Sequence, residues 1–403
     1  MLNAVLFTKG SMGDVVPFMA VGRALRQRGH SVTLVTHILY QALASAAGFD
    51  FVPIDDRDEF DRFIAQGDLL NTPYGIAEFF RTHYLPRTER EYNLLMGLLA
   101  RERSVLITRY MAGLADLLVQ ERTSVPVVRL YLTVAHMRAR RFLSQFCQSV
   151  LAEDIRAVRS NLRFPSDPPR DGWEWRATAH LAAWPDWFYK PEDAPPNSIS
   201  VGFLFDDQCE DGLLTPEAAA SLATTPRPIL VTGGTGNFIG ASFYRQVLAA
   251  CATQKQKVLV SASRREMLPD RLPSNVVWFE RLPFTSVMPH VAAVIHHAGT
   301  GTAARALLNG VPQLLLPYGG DRPDTGARIQ ALGVGRILLP AEWTPARIIE
   351  VLAAISNSPT VRERCRKLSL IVRRQRSAEA AADAVEGATL ANQGNTHIPN
   401  GVN

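Results

Sequence analysis

Residues 296–335 read HHAGTGTAARALLNGVPQLLLPYGGDRPDTGARIQALGVG. His296 and His297 end an apolar strand that begins near Ala292, and the turn AGTGT opens a helix closed by Asn309 and Gly310. VPQLLLP is a second buried strand, and GGDRPD opens a further helix that ends at Gly333. Glycine suits the left-handed conformation that commonly closes a helix, and a continuous apolar run suits a strand covered on both faces. Strand, turn, helix, strand, turn, helix predicts a parallel, doubly wound sheet. Two of its turns then reach the C-terminal edge of the sheet, where ligands of such folds bind.

The same rhythm extends upstream. ILVTGGTGNFIGASFYRQVL, Ile229 to Leu248, runs from a strand through a Gly-rich turn into an amphipathic helix. KVLVSAS, NVVWFE and GRILL supply further strands, so one Rossmann-like domain is expected over 226–358. The Arg- and Ala-rich stretch 359–390 reads as helical, and the polar end 391–403 as a disordered tail. At the N-terminus, NAVLFT, the turn KGSMGD, the helix VVPFMAVGRALRQRG, and the strands HSVTLVT and FDFVPI repeat the pattern. Residues 57–103 are helical and aromatic-rich, after which SVLITR and VPVVRLYL restore the alternation. AAWPDWFYKPEDAPPNSISVGFLFDDQ, dense in Pro and Asp, marks a domain exit. A first domain over 1–205 and a linker over 206–225 follow.

The 403 residues are 47% hydrophobic and 20% charged, with a formal net charge of +5, an ordinary globular composition for two domains. Basic residues are scattered, and no nucleic-acid stripe is evident. The densest basic cluster, Arg138, Arg140 and Arg141, could face an anionic membrane surface or be a solvated helix face. Cys147, Cys209, Cys251 and Cys365 lie far apart, which argues against a zinc site or a disulfide framework and fits a reducing cytoplasm. With no basic leader and no long apolar run, the expected location is cytoplasmic, with peripheral membrane contact at most. The sequence does not set the oligomeric state.

A Gly-rich turn after a strand raises a nicotinamide enzyme. The glycines at 233, 234, 236 and 240 do not fit: Asn237 makes the last gap one residue too long. None of the nine tyrosines has a lysine four residues on to protonate a substrate oxygen. What remains is an anion site or a plain tight turn, because a helix N-terminus offers free N–H groups to phosphate. The residues alone leave both open.

His297 with its Gly-rich turn, GVP, the apolar strand and the acidic Asp321 resembles the donor-sugar signature of family 1 glycosyltransferases of the GT-B fold. GSMGDVVPFMAVGRALRQRGHSVTLVT, AGFDFVPI and PDWF followed by SVGFLFD are similar to other segments of that family, in the same order. The likeness is nearest to rhamnolipid rhamnosyltransferase and to natural-product glycosyltransferases, and covers about residues 1–55 and 180–340. It implies an α/β protein with two Rossmann-like domains facing across a cleft, and a C-terminal helix packing back on the N-terminal domain. It implies inverting transfer of a hexose or deoxyhexose from dTDP or UDP to a hydroxyl of an apolar lipid or aglycone.

Carried onto this sequence, His297, Gly299, Thr300, Gly301 and Thr302 contact the donor diphosphate, with Gly234 and Thr235 on its other side. Asp321 accepts hydrogen bonds from sugar hydroxyls, or caps the helix that follows. Arg322 stands where Gln is common and cannot accept a hydrogen bond. Arg305 stands where many relatives have Glu for the ribose, which favours a deoxyribose nucleotide such as dTDP. Arg281 and Leu282 fall at the base-binding turn, where Arg281 could stack on the base or be solvated. For Asp14 the residues alone favour an N-cap on a helix starting at Val15, and the resemblance makes it the catalytic base. Asp56-Arg57-Asp58 has the form of a metal-binding DxD but follows the third strand of the first domain, and reads as a solvated acidic turn. No metal and no cofactor are expected. Alternatives are a non-catalytic auxiliary subunit on the same fold and a sugar-nucleotide epimerase.

Overall fold

A computed structural model describes residues 1–169, 177–192, 194–210, 214–236 and 239–395. The chain forms two compact units, Met1–Phe205 with Arg376–Asn403, and Asp206–Gln375. Each is built on one parallel sheet with helices on both faces.

The first sheet has β1 (Asn3–Phe7), β2 (Ser31–Thr36), β3 (Asp50–Pro53), β4 (Ser104–Arg109), β5 (Val127–Tyr131), β6 (Ala179–Ala182) and β7 (Ser198–Ser200), in the order β3-β2-β1-β4-β5-β6-β7. Every residue of β1 and β5 is buried, as expected of strands covered on both sides. β1 lies between β2 and β4, with Phe7 opposite both Val35 and Thr108. Strand order reverses there, so the loops after β1 and β4 diverge and leave a crevice at the sheet's C-terminal edge. Helix α1 (Met12–Gln27) follows β1, α2 (Thr88–Leu99) precedes β4, and α3 (Val134–Val150) follows β5. The Pro- and Trp-rich segment read as a domain exit begins at the last residue of β6 and contributes β7 to this sheet. Trp184 within it is fully buried, and its indole N–H donates to the Tyr189 carbonyl at 3.0 Å.

The second sheet has β8 (Ile229–Thr232), β9 (Val258–Ser261), β10 (Val276–Phe279), β11 (Ala293–His296), β12 (Gln313–Leu315) and β13 (Gly335–Ile337), in the order β10-β9-β8-β11-β12-β13. Its order reverses at β8 and β11, where His296 lies opposite Thr232. Helices α4 (Ala241–Cys251), α5 (Thr300–Asn309), α6 (Arg322–Ala331) and α7 (Pro359–Arg373) belong to this unit. The stretch expected as a linker carries the short helix Pro216–Leu222, whose Ala218 joins the buried cluster under β8 and β9.

Helix α8 (Ser377–Asn395) returns to the first unit and packs on α1. Ala381, Ala382 and Val385 are fully buried, and Arg28 on the other side reaches Asp383 at 2.7 Å and Glu386 at 2.8 Å. Glu386 also meets His30 Nε2 at 2.7 Å. The helix continues past the expected start of the tail at 391 to Asn395. Residues 396–403, expected to be disordered, lie outside the described residues.

Candidate functional site

In the second unit the two Gly-rich turns meet at one side chain. A Cβ on Gly234 would stand 2.5 Å from His297 Cε1, and one on Gly299 would stand 2.4 Å from His297 Nε2. The imidazole is therefore seated between two backbones that only glycine lets so close. Gly234 also has φ of +80°, and its N–H donates to Thr232 Oγ1 at 3.1 Å. Gly233 donates to the buried hydroxyl of Tyr244 at 3.0 Å, which pins this turn to α4. Thr235 is exposed beyond it. Asn237 and Phe238 lie outside the described residues.

Gly299 is the N-cap of α5 and has no side chain to cap it. The first intrahelical bond runs from Ala303 N–H to Gly299 O, so the N–H groups of Thr300, Gly301 and Thr302 head the helix. Gly301 is exposed, and Thr300 Oγ1 meets Thr325 Oγ1 at 3.2 Å, tying α5 to α6. Burial holds the His297 imidazole well below its usual pKa, with the nearby charges of Arg322 and His296 adding to it. Its Nδ1 is buried with no hydrogen-bond partner. A neutral imidazole and three helix-end N–H groups thus belong to one turn, and both are groups that can hold an oxyanion.

Asp321 occupies the N-cap of α6, but its backbone is in the helical region and its carboxylate makes no capping bond. The position is that of a cap, and the carboxylate does not perform it. Arg322 is buried near enough to His297 to act on it, and Nη1 donates to the carbonyls of Tyr318 at 2.7 Å and Gly319 at 3.2 Å, bracing the turn before α6. Arg305 is buried too and pairs with Asp207 of the same unit. Arg281 is exposed, and Leu282 packs against the apolar cluster beneath β10.

In the first unit Asp14 does not cap a helix starting at Val15. Helix α1 starts at Met12 with Ser11 as N-cap, which places Asp14 at the third helical position. From there the carboxylate reaches back: Oδ2 accepts from Ser11 N–H at 2.9 Å and from Ser11 Oγ at 3.3 Å. Oδ1 accepts from Arg109 Nη1 at 2.9 Å, at the end of β4. Gly10 has φ of +133°, and a Cβ there would fall 2.2 Å from Asp14 Oδ2. Gly10 is gripped on both sides, its N–H donating to His37 Nε2 at 3.0 Å and its carbonyl accepting from Tyr40 Oη at 3.1 Å. Because His37 Nε2 accepts, its proton sits on Nδ1, facing Asp55 Oδ2 at 2.5 Å. Burial lowers the His37 pKa, consistent with that neutral tautomer.

Beneath this loop Lys9 is buried and paired with Glu91 of α2 at 2.7 Å, its ammonium 4.5 Å from the centre of the Tyr84 ring. Burial pushes both groups toward neutrality, lowering Lys9 and raising Glu91, while the pairing opposes this. Sequence reasoning missed Arg109, His37 and the Lys9–Glu91 pair. Asp56, Arg57 and Asp58 are exposed, as expected of a solvated acidic turn, and they open a helix. Asp55 is buried against His37, and Asp56 caps the next helix, accepting from Glu59 N–H at 2.8 Å. Among the described residues no three His, Cys, Asp or Glu side chains gather at metal-binding spacing, and no helix is long and apolar enough to cross a membrane.

Two parallel-sheet Rossmann-like units, with Gly-rich turns at the switch point of the second sheet, match the GT-B fold of solved glycosyltransferase structures. Residues 4–86 match the glycosyltransferase family 28 N-terminal domain, and residues 245–385 match the C-terminal domain of erythromycin biosynthesis protein CIII-like proteins. Both matched models describe glycosyltransferase domains, and the curated relatives are glycosyltransferases as well. It is 27% identical over 425 residues to O-mycaminosyltylonolide 6-deoxyallosyltransferase of Streptomyces fradiae, covering 96% of this chain and 97% of the relative. The calicheamicin glycosyltransferase CalG4 superposes with a TM-score of 0.70 at 22% identity, over 98% of this chain and 100% of that one. Glycosyltransferase VinC in complex with dTDP superposes with a TM-score of 0.70 at 18% identity, over 96% and 99%.

Proposed function

We propose that the chain is an inverting, metal-independent transferase moving a hexose or deoxyhexose from dTDP or UDP to a hydroxyl of an apolar aglycone or lipid. The observation that carries this is His297, seated between Gly234 and Gly299 at the head of α5. The departing nucleotide diphosphate gains negative charge, and a preorganised imidazole with the Thr300–Thr302 N–H groups stabilises it. Asp14 takes the acceptor's proton as its oxygen bonds to the sugar C1. The C1–O bond to phosphate breaks, and its electron pair leaves with the diphosphate. Asp321, its carboxylate not used as a cap, accepts from sugar hydroxyls. The bound dTDP of VinC and the deoxyallosyl transfer named for the relative support a dTDP-deoxyhexose over a UDP-hexose.

The test is a thermal-shift screen of UDP-, dTDP- and GDP-sugars, followed by transfer or donor hydrolysis with the best binder. Turnover by the purified chain separates an enzyme from an auxiliary subunit, which would bind without turning over. We expect undiminished turnover in EDTA, because helix-end N–H groups and His297 meet the phosphate charge. A strict requirement for magnesium or manganese would overturn that part of the reading.

A further inference from the structure

Helix α7 turns Cys365, Ser369 and Val372 inward. Its outward side carries Arg362, Arg364, Arg366, Lys367 and Arg373, with Arg374 one residue beyond the helix, all exposed. Against the single Glu363 this is a formal +5, equal to the net charge of the whole chain. One short face thus holds the equivalent of the protein's entire excess of positive charge. Glu363 pairs with Arg366 at 2.9 Å and Lys367 at 3.5 Å, while Arg364 and Arg374 make no ion pair among the described residues.

In the middle of this charge stand Leu370 and Ile371, each 46% exposed. The neighbours of Leu370 three and four residues away in both directions are Lys367, Arg366, Arg373 and Arg374, and every one is basic. Arg362 and Arg366, four apart, repel each other, and the two apolar side chains remain in water. A surface that is anionic and has an apolar layer just behind its charge would relieve both costs. Nucleic acid offers phosphates but nothing for an aliphatic pair at the centre of the patch. An anionic bilayer offers lipid phosphates for the guanidinium groups and the acyl boundary for Leu370 and Ile371.

We propose that the outward face of α7 docks on an anionic lipid surface, the arginines and Lys367 meeting headgroups while Leu370 and Ile371 insert between them. The docking face is separate from the residues assigned to catalysis and stands independently of them. Vesicle flotation of the full chain tests it, comparing phosphatidylcholine alone with phosphatidylcholine–phosphatidylglycerol mixtures at low and high salt. Binding is expected only to the mixed vesicles and should fade as salt rises.

Each neutralised basic residue should weaken partition about five-fold, so Arg366→Gln with Lys367→Gln should lower it roughly twenty-fold. Leu370→Ser with Ile371→Ser leaves every charge in place and should lower it about ten-fold. Circular dichroism melts show that each variant folds, and Arg374→Gln alone replaces the double charge variant if that one does not. Failure to bind anionic vesicles, or equal binding to neutral ones, overturns the proposal. So does unchanged binding by the folded serine variant, which would point to a nucleic acid or an acidic protein instead.

Discussion

In the first unit Asp14 commits both carboxylate oxygens to the protein, Oδ2 to the head of its own helix and Oδ1 to Arg109. Asparagine can keep one of these bonds through its amide oxygen, but its NH₂ would then face the Arg109 guanidinium. Asp14→Asn should therefore cost about 1–2 kcal/mol of stability, the scale of one hydrogen bond broken with its partner left behind. Turnover should fall much further, by about 10²–10⁴-fold, because an amide cannot accept the acceptor's proton. Turnover at saturating donor, set beside the melting temperature, separates the two effects. Normal turnover would leave Asp14 a structural residue. Thr235→Val in the second unit should weaken donor binding by about 1–2 kcal/mol with the melting temperature of the free protein unchanged, measured by titration calorimetry. Saturable binding of NADPH that protects the fold would sink that assignment. Asp14 and Thr235 are legible in the sequence because each sits in a Gly-rich turn between a strand and a helix. Arg109 is not, because it meets Asp14 across 95 residues, and only the pairing of β1 with β4 brings them together.

At the scale of the element, the alternation of apolar strands with helices closed by glycine carries most of the fold. Buried parallel strands need continuous apolar runs, and such runs are visible in a sequence. Strands β6 and β7 are harder to see: AHLA and SIS are short and lie near prolines, and AHLA is held by β5 and SIS by β6 rather than by their own propensity. Local spacing also misleads for Arg138, Arg140 and Arg141. Neighbours in sequence spread around a helix, and Arg140 is buried, Nη1 donating to the Met137 carbonyl at 2.6 Å. The histidines at the strand ends set a pH dependence. Burial lowers His180 to about 3 and His296 to about 4. Because an unfolded histidine titrates near 6.5, the unfolded chain binds protons in this range that the folded one refuses. Their contribution is therefore complete above about pH 6.5 and is lost as pH falls, each costing about 2 kcal/mol by pH 5. His180→Gln should lose about 2 kcal/mol less than the parent between about pH 7 and pH 5, read from denaturant melts. An equal loss in both would show that His180 is not protonated on unfolding.

At the scale of the whole molecule, the sequence shows two α/β domains, and the resemblance implies the C-terminal helix that returns to the first one, as α8 does. The Arg- and Ala-rich run after 359 reads as one helical segment, whereas it is two helices in different units, α7 in the second and α8 in the first. That division has a consequence for how the protein is made. A ribosome delivers residues in order, and the surface of α1 that receives α8 stays uncovered until the whole of Asp206–Gln375 has been synthesised. Until then Arg28 and His30 lack Asp383 and Glu386, and the apolar groove that takes Ala381, Ala382 and Val385 is open to water. The second unit, by contrast, is one unbroken stretch that can fold as soon as it emerges. Removing 376–403 should leave the second unit's thermal transition in place and lower or abolish that of the first, resolved as separate peaks by calorimetry. A nascent chain stalled just after Gln375 should likewise present a protease-sensitive first unit beside a resistant second one, so the earlier-made half of this enzyme is the later to mature.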